Sequence, residues 1–406
     1  MATLSDRDGY LKLLTRPLAD DMVTIITGVR RVGKSSLLEI YRKWLIEEGT
    51  DPSDILAVNF EDFANNPLRD AETFHSYVLE KNPRYLHVDE VQELDQWARV
   101  INSLRLRDGL KICVTGSNSS LFSDQSATYL SGRYVQYHVY PLSLSEYREF
   151  ASIPDSTSSE AVYQEIMSQG AFPRVAFTHD YETSLKINND LFDSIFTRDI
   201  VMTGQVRNPE SFMRVARYVF SNAGSPLSAS KIANSLTSAG MKISHPTVDK
   251  YITLLCNAHL IYPCYPFDLR GKQILRSSPK YYWIDPGLRR SLLGKTSGNV
   301  GHDLENMVFL ELKRRGYEVT TGVSEGKEID FRAVHGDDEV YVQVSFTTDS
   351  ESTLSRELRA FEALPPGAQC VLITADRIAP NTGLVRHLDA FEFLEGAPLL
   401  PVETFL

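Results

Sequence analysis

Cysteine is scarce in this 406-residue chain: Cys113, Cys256, Cys264 and Cys370 lie too far apart for a zinc-binding spacing or a dense disulfide framework. The expectation is reduced thiols in a cytoplasmic protein. Also missing is any apolar run near the roughly 20 residues that cross a bilayer, so no membrane-spanning helix is expected. The first fourteen residues carry acidic side chains and no apolar core, and a secretory signal is not expected either. Positive charge is in deficit, 42 Lys and Arg against 53 Asp and Glu, for a formal net charge of −11. That excludes indiscriminate nucleic-acid binding over the whole surface and leaves room only for a local basic face. Apolar residues make up 42% and charged residues 23%, the balance of an ordinary globular chain with length for two to four domains.

What is present begins with a short β-branched run at 22–27, which reads as a buried parallel strand. It leads directly into Gly28, Val29, Arg30, Arg31, Val32, Gly33, Lys34 and Ser35, the pattern G-x-x-x-x-G-K-[ST]. An amphipathic helical pattern follows from Ser36 to Leu45. The chemistry needs this order. Glycines let backbone N–H groups close around phosphate oxygens, and the helix N-terminus adds the positive end of a dipole. Lys34 is placed for the β- and γ-phosphates, the Ser35 hydroxyl for Mg²⁺, and the loop through Ser36 for ATP. A chance match is the alternative, and the flanking strand and helix weigh against it.

Further strand-like runs follow at 55–60, 85–90 and 111–115. The second of these ends in Asp89-Glu90. Behind a phosphate loop, such a pair suits Asp89 as a magnesium residue, acting through water, and Glu90 as the group that orients and activates the attacking water. At the tip of the 111–115 run, Ser117 or Asn118 is the candidate for a hydrogen bond to the γ-phosphate or the water. A helix-capping cluster explains the same residues equally well. Arg133 precedes another strand, 134–140.

With these residues in order, positions 1–150 resemble an AAA-type ATPase, of the branch that couples this core to a C-terminal nuclease-like domain. The resemblance implies that Arg133 reaches into a neighbouring subunit's ATP and neutralises transition-state charge there. It therefore implies a homo-oligomer of six. A surface arginine or a helix C-cap is the plainer reading of Arg133. After the polar stretch 152–160, residues 160–222 look like the helical lid. There Pro173 closes a Gly-x-x-Pro turn that the resemblance places near adenine, and Arg198 matches a lid arginine able to contact the γ-phosphate. A solvated helix arginine is the alternative for Arg198.

Residues 223–290 read as helix, turn, helix, then a pair of strands at 261–267 and 280–284, which resembles a winged helix, a module that places its second helix in the DNA major groove. From Pro266 to Arg290 there are six basic residues, Arg270, Lys272, Arg276, Lys280, Arg289 and Arg290, against Asp268 and Asp285. That local basic face makes Lys250, Arg270, Lys272 and Arg276 the candidate DNA contacts. Packing between domains is the alternative use of such a helix.

Past a linker at 297–303, the helix around Glu305, the strand around Asp330 and the hairpin partner Gln343-Val344-Ser345 resemble the restriction-endonuclease-like fold. That fold brings a glutamate, an aspartate and a (D/E)-x-K element around metal. Here Gln343 and Ser345 replace the third carboxylate and the lysine, so neither the charge nor the metal affinity of an active nuclease is expected.

The expectation is an α/β chain: a P-loop parallel sheet core at 1–150, a helical lid at 151–222, a winged-helix domain at 223–295 and a small, catalytically degenerate nuclease-like domain at 296–406. Its function would be ATP hydrolysis with magnesium, coupled to action on duplex or branched DNA. The alternatives are a nucleotide-gated signalling or defence ATPase acting through a protein partner, and an ATP-dependent DNA nuclease.

Overall fold

The computed structural model describes residues 7–19, 21–117, 129–178, 180–201, 206–275, 278–294, 299–324 and 327–401. The chain falls into two compact units, one of Met1–Tyr140 with Asn257–His259, the other of Pro141–Cys256 with Leu260–Leu406.

In the first unit, helix α1 (Asp8–Leu14) precedes strand β1 (Val23–Thr27) and helix α2 (Lys34–Glu47). Strand β2 (Ile55–Asn59) leads to α3 (Ala71–Lys81), β3 (Tyr85–Asp89) to α4 (Trp97–Leu104), and β4 (Lys111–Gly116) and β5 (Tyr134–His138) complete the sheet. All pairings are parallel, in the order β2-β3-β4-β1-β5. Strands buried on both faces favour apolar runs. The inner strands β1, β3 and β4 are almost wholly buried, with His87 and Asp89 of β3 and Thr115 of β4 among the buried polar exceptions, whereas edge strands β2 and β5 are partly exposed. One face of the core joins Ile25, Val88 and Val114 of the strands to Phe74, Ile101 and Leu104 of α3 and α4.

The second unit opens with helices α5 (Leu144–Phe150), α6 (Ser159–Gln169), α7 (Pro173–Ala176) and α8 (Tyr181–Ile195). A one-turn widening to π-helix, Phe196–Val201, ends α8. Then come α9 (Pro209–Ser221), α10 (Ala229–Ser238, capped by Ser228) and α11 (His245–Asn257). Strand β6 (Ile261–Cys264) pairs antiparallel with β9 (Lys280–Trp283), giving the expected helix, turn, helix and strand pair. The segment between them departs from a free wing. β7 (Pro266–Asp268) carries β8 (Gln273–Ile274) and adds itself, in parallel, to β10 (Glu318–Ser324) of the C-terminal sheet.

Helix α12 (Pro286–Leu293) precedes α13 (Val300–Arg314), so the expected linker at 297–303 is helical from Val300. Strands β11 (Lys327–His335), β12 (Asp338–Ser345), β13 (Gln369–Thr374) and β14 (Arg386–Asp389) follow, with α14 (Glu351–Arg359) and α15 (Ala390–Glu395). The seven-stranded order is β14-β13-β12-β11-β10-β7-β8. The four cysteines are all free thiols, and none of the described helices is long and apolar enough to cross a membrane.

Candidate functional site: a phosphate loop facing an acidic strand tip

The loop between β1 and α2 has Gly28 at φ 146° and Gly33 at φ 104°. A Cβ on Gly28 would lie 2.4 Å from the carbonyl oxygen of Val139, so no side chain fits there and the loop lies flat on the end of β5. Arg31 also takes a left-handed conformation, φ 62°, in the crown of the loop. The buried Lys34 ammonium donates to the carbonyl oxygens of Gly28 and Val29 at 3.0 and 3.1 Å, folded against the start of the loop. From outside, Arg7 donates to the carbonyls of Val32 (3.2 Å) and Tyr140 (2.9 Å). Arg30 pairs with Glu61 beyond β2 at 3.3 Å.

Strand order brings the acids to the loop. β4 lies between β1 and β3, so Thr115, beside Ile26 of β1, stands next to Asp89 near the ends of the strands. The Thr115 hydroxyl donates to the Asp89 carboxylate and accepts from the Glu90 backbone N–H at 3.0 Å. Burial pushes the Asp89 carboxyl above the ordinary carboxylate range, opposed by hydrogen bonds from Thr115 and Ser35. Ser35 and Asp89, the two expected magnesium residues, are therefore neighbours. Glu90 sits in the left-handed region at φ 55°, buried, with Gln92 donating to its carboxylate. The residues fit Mg-ATP: a cradle too narrow for a Cβ, a cation within it, and a hydroxyl–carboxylate pair at its edge.

Several expected positions stand elsewhere. Asn118 and Arg276 lie outside the described residues; Ser117 is buried just beyond β4. Arg133 is exposed at the start of β5, which pairs in register with Val23, so it occupies the end of the sheet opposite its own phosphate loop. Pro173 opens α7 and Arg198 is an exposed residue of the π-helical turn. The turn before Pro173 is a packing joint. Asp285, fully buried with its carboxyl pushed up to about 6 by that burial, accepts from the N–H groups of Ala171 (2.6 Å) and Leu288 (2.9 Å). Lys250, Arg270 and Lys272 are exposed.

The six-residue basic count needs correcting. Lys280 is buried, with its ammonium 2.7 Å from Glu328, 3.0 Å from Glu305 and 3.7 Å from Asp330. Arg289 pairs with Asp303 at 3.0 Å, and Arg290 lies over the ring of Tyr181. These three cations are largely spent inside the fold, because β9 lies beside α13 and α12 packs against α8 and α6. The expected cluster of Glu305 and Asp330 does form, with Gln343 donating to Glu357 at 2.8 Å. Lysine, from a strand that sequence reasoning assigned to another domain, compensates it. Burial and the neighbouring Glu305 push the Asp330 carboxyl up, while Lys280 opposes the shift. Among the described residues no group of three or more His, Cys, Asp or Glu is arranged to hold a metal ion.

Thr115 was missed because a threonine near the end of a strand looks like β-propensity alone. His138 and His259 were missed too. His138 Nδ1 lies 3.2 Å from the Thr27 hydroxyl, and the His259 ring lies 4.5 Å from that of His138. Nothing local in the sequence marks either.

The AAA domain family model matches residues 20–148, and a domain of unknown function (DUF8612) matches residues 160–299. An uncharacterized protein of Haemophilus influenzae is 40% identical over 347 residues, 84% of this chain and 86% of that protein. The uncharacterized protein MJ1544 of Methanocaldococcus jannaschii is 31% identical over 378 residues, 89% of this chain and 81% of the relative. Among solved structures, the Walker-type ATPase PABY2304 of Pyrococcus abyssi is 16% identical, with a TM-score of 0.45, covering 71% of this chain and 95% of that one. So loose a structural likeness says nothing about function.

Proposed function

Because this chain belongs to one family with the Haemophilus and Methanocaldococcus proteins and carries an AAA domain, we propose that it is a magnesium-dependent ATPase working as a homo-oligomeric motor or switch on DNA. The observation that carries the hydrolytic part is the Ser35–Asp89–Thr115 arrangement beside Lys34. Loop N–H groups and Lys34 hold the phosphates, and Ser35 and Asp89 hold the magnesium ion, which when bound neutralises charge developing on the β- and γ-oxygens. Glu90, fixed by Thr115 through its backbone, orients the attacking water and takes its proton. The test is steady-state phosphate release with purified full-length protein. Lys34→Ala should abolish tight ATP binding, and Glu90→Gln should bind ATP and not turn over. Normal turnover by the Glu90→Gln protein refutes the assignment.

The remaining parts of the proposal rest on cations. Arg133 acts on a neighbouring subunit's ATP in a ring of six, and Arg198 of the 151–222 lid meets the γ-phosphate. Residues 223–295 serve as a winged helix, and Lys250, Arg270, Lys272 and Arg276 contact DNA phosphates in a cytoplasmic setting. Residues 296–406 form a nuclease-like unit that binds without cutting, since Lys280 already compensates Glu305, Glu328 and Asp330. Duplex binding should fall with salt by about 0.9 log units per log unit for each neutralised phosphate. Changing Arg270 and Lys272 to glutamine should flatten that slope by up to about two such units. A second reading, a switch acting through a protein partner, is favoured by the net charge of −11 and by the internal use of Lys280 and Arg289. Absence of DNA binding at low salt, with and without ATP, would decide for it.

A further inference from the structure

Three residues far along the chain, Asn257–His259, pack as part of the first unit, while the residues on both sides of them, α11 up to Cys256 and β6 from Leu260, belong to the second. The insertion is specific in its contacts. His259 adopts φ 56° and is buried, and its ring lies 4.5 Å from the His138 ring at 55°. His138 in turn meets the Thr27 hydroxyl at 3.2 Å and sets its ring edge-on to Tyr140 at 4.5 Å. Gln136 donates to the same Thr27 hydroxyl at 3.0 Å. Thr27 is the residue before Gly28, and Val139, next to His138, is the residue whose carbonyl presses on Gly28. The strand ends beneath the phosphate loop are thus backed by one imidazole from the turn after α11.

We infer that His259 is a positioning residue of the phosphate loop, backing His138 and Thr27 so that the loop's shape and the α11–β6 turn depend on each other. The inference rests on reading the loop as the ATP site. Burial and the charge of Lys34 push the His259 ring down to about 3, so at neutral pH it acts by its shape and polarity and not as a cation. Coupling is reciprocal by thermodynamic necessity: if the turn sets the loop, a ligand in the loop sets the turn. α11, the helix that carries Lys250, leads directly into this turn, so nucleotide binding is given a route by which to change that helix.

The test uses the full-length protein with His259→Asn, since asparagine tolerates φ > 0 and leaves the backbone unstrained while removing the ring. Two quantities are measured: the Kd of a fluorescent ATP analogue with magnesium, and amide hydrogen exchange with and without ATP at the loop and at residues 248–262. In the parent, ATP should slow exchange at both segments. In His259→Asn the Kd should rise at least tenfold, and ATP-induced protection should persist at the loop and vanish at 248–262. An unchanged Kd, or protection at 248–262 that survives the substitution, overturns the inference. A simple loss of packing would raise exchange at 248–262 whether or not ATP is present, which is a different result and also overturns it. Lys34→Ala is run in parallel. If the parent itself fails to bind the analogue, it is the ATP reading that falls, before His259 is tested.

Discussion

Replacing Lys280 with methionine is the sharpest perturbation of the second unit. The ammonium is shared by Glu305, Glu328 and Asp330 at 3.0, 2.7 and 3.7 Å. Glu328 is 41% exposed at its side chain and can turn to water, so its loss of partner costs little. Glu305 and Asp330 are 8% and 14% exposed and cannot. Breaking a buried pair by removing one partner costs about 3–5 kcal/mol, because the remaining charge has neither water nor counter-ion. At roughly 2–4 °C per kcal/mol for a unit of this size, melting should fall by about 6–20 °C. The pH dependence has a definite sign. Asp330 has its folded pKa raised above the unfolded value, so its contribution is full below about 4 and is lost as pH rises. Without Lys280 that rise steepens, and the variant should be more strongly destabilised relative to the parent at pH 8 than at pH 5. Calorimetry reads this directly, since ATP, which binds the first unit, raises that unit's transition and identifies the other. Adding Glu305→Gln to Lys280→Met should recover part of the loss. A shift below about 1 kcal/mol, or strict additivity of the two substitutions, would refute the claim that these charges compensate one another.

Acid should weaken the first unit through two buried imidazoles, since burial pushes His87 down to about 4 and His259 to about 3. A depressed base contributes stability above its unfolded pKa of about 6.5 and loses it as pH falls, here about 2 kcal/mol each by pH 5. His87→Phe should remove its share of that loss, and an unaltered pH slope in unfolding measurements would count against the assignment. Thr115→Val breaks the hydroxyl's bonds to Asp89 and Glu90 together and should slow ATP turnover by roughly 10- to 100-fold while the fold survives; full activity would remove Thr115 from the site. Mixing inactive Arg133→Ala and Lys34→Ala subunits should restore partial ATPase activity, because one intact interface forms; a fully active monomer on sedimentation analysis would exclude any role of Arg133 in trans.

Sequence alone determined the local chemistry. Short apolar runs located β1, β3 and β4, since a strand buried on both faces favours them. Gly28, Gly33, Lys34 and Ser35 declared a phosphate cradle because each residue type is needed for its own backbone or side chain. The Ser228 cap and the apolar pattern of α11 marked a helix, a turn and a second helix. Tertiary structure alone decided which distant residues complete these pieces. The order β3-β4-β1 puts Thr115 of the central strand against Asp89, although β4 follows both neighbours in the chain. Three residues near 258 pack with the first unit, and Lys280 is a buried counter-ion where charge counting made it surface. The reason is physical. Backbone geometry and amphipathicity are set by neighbours within one or two turns, and so are written locally. Whether a cation meets water or a carboxylate depends on which strands lie side by side, and that is fixed only when the sheets assemble.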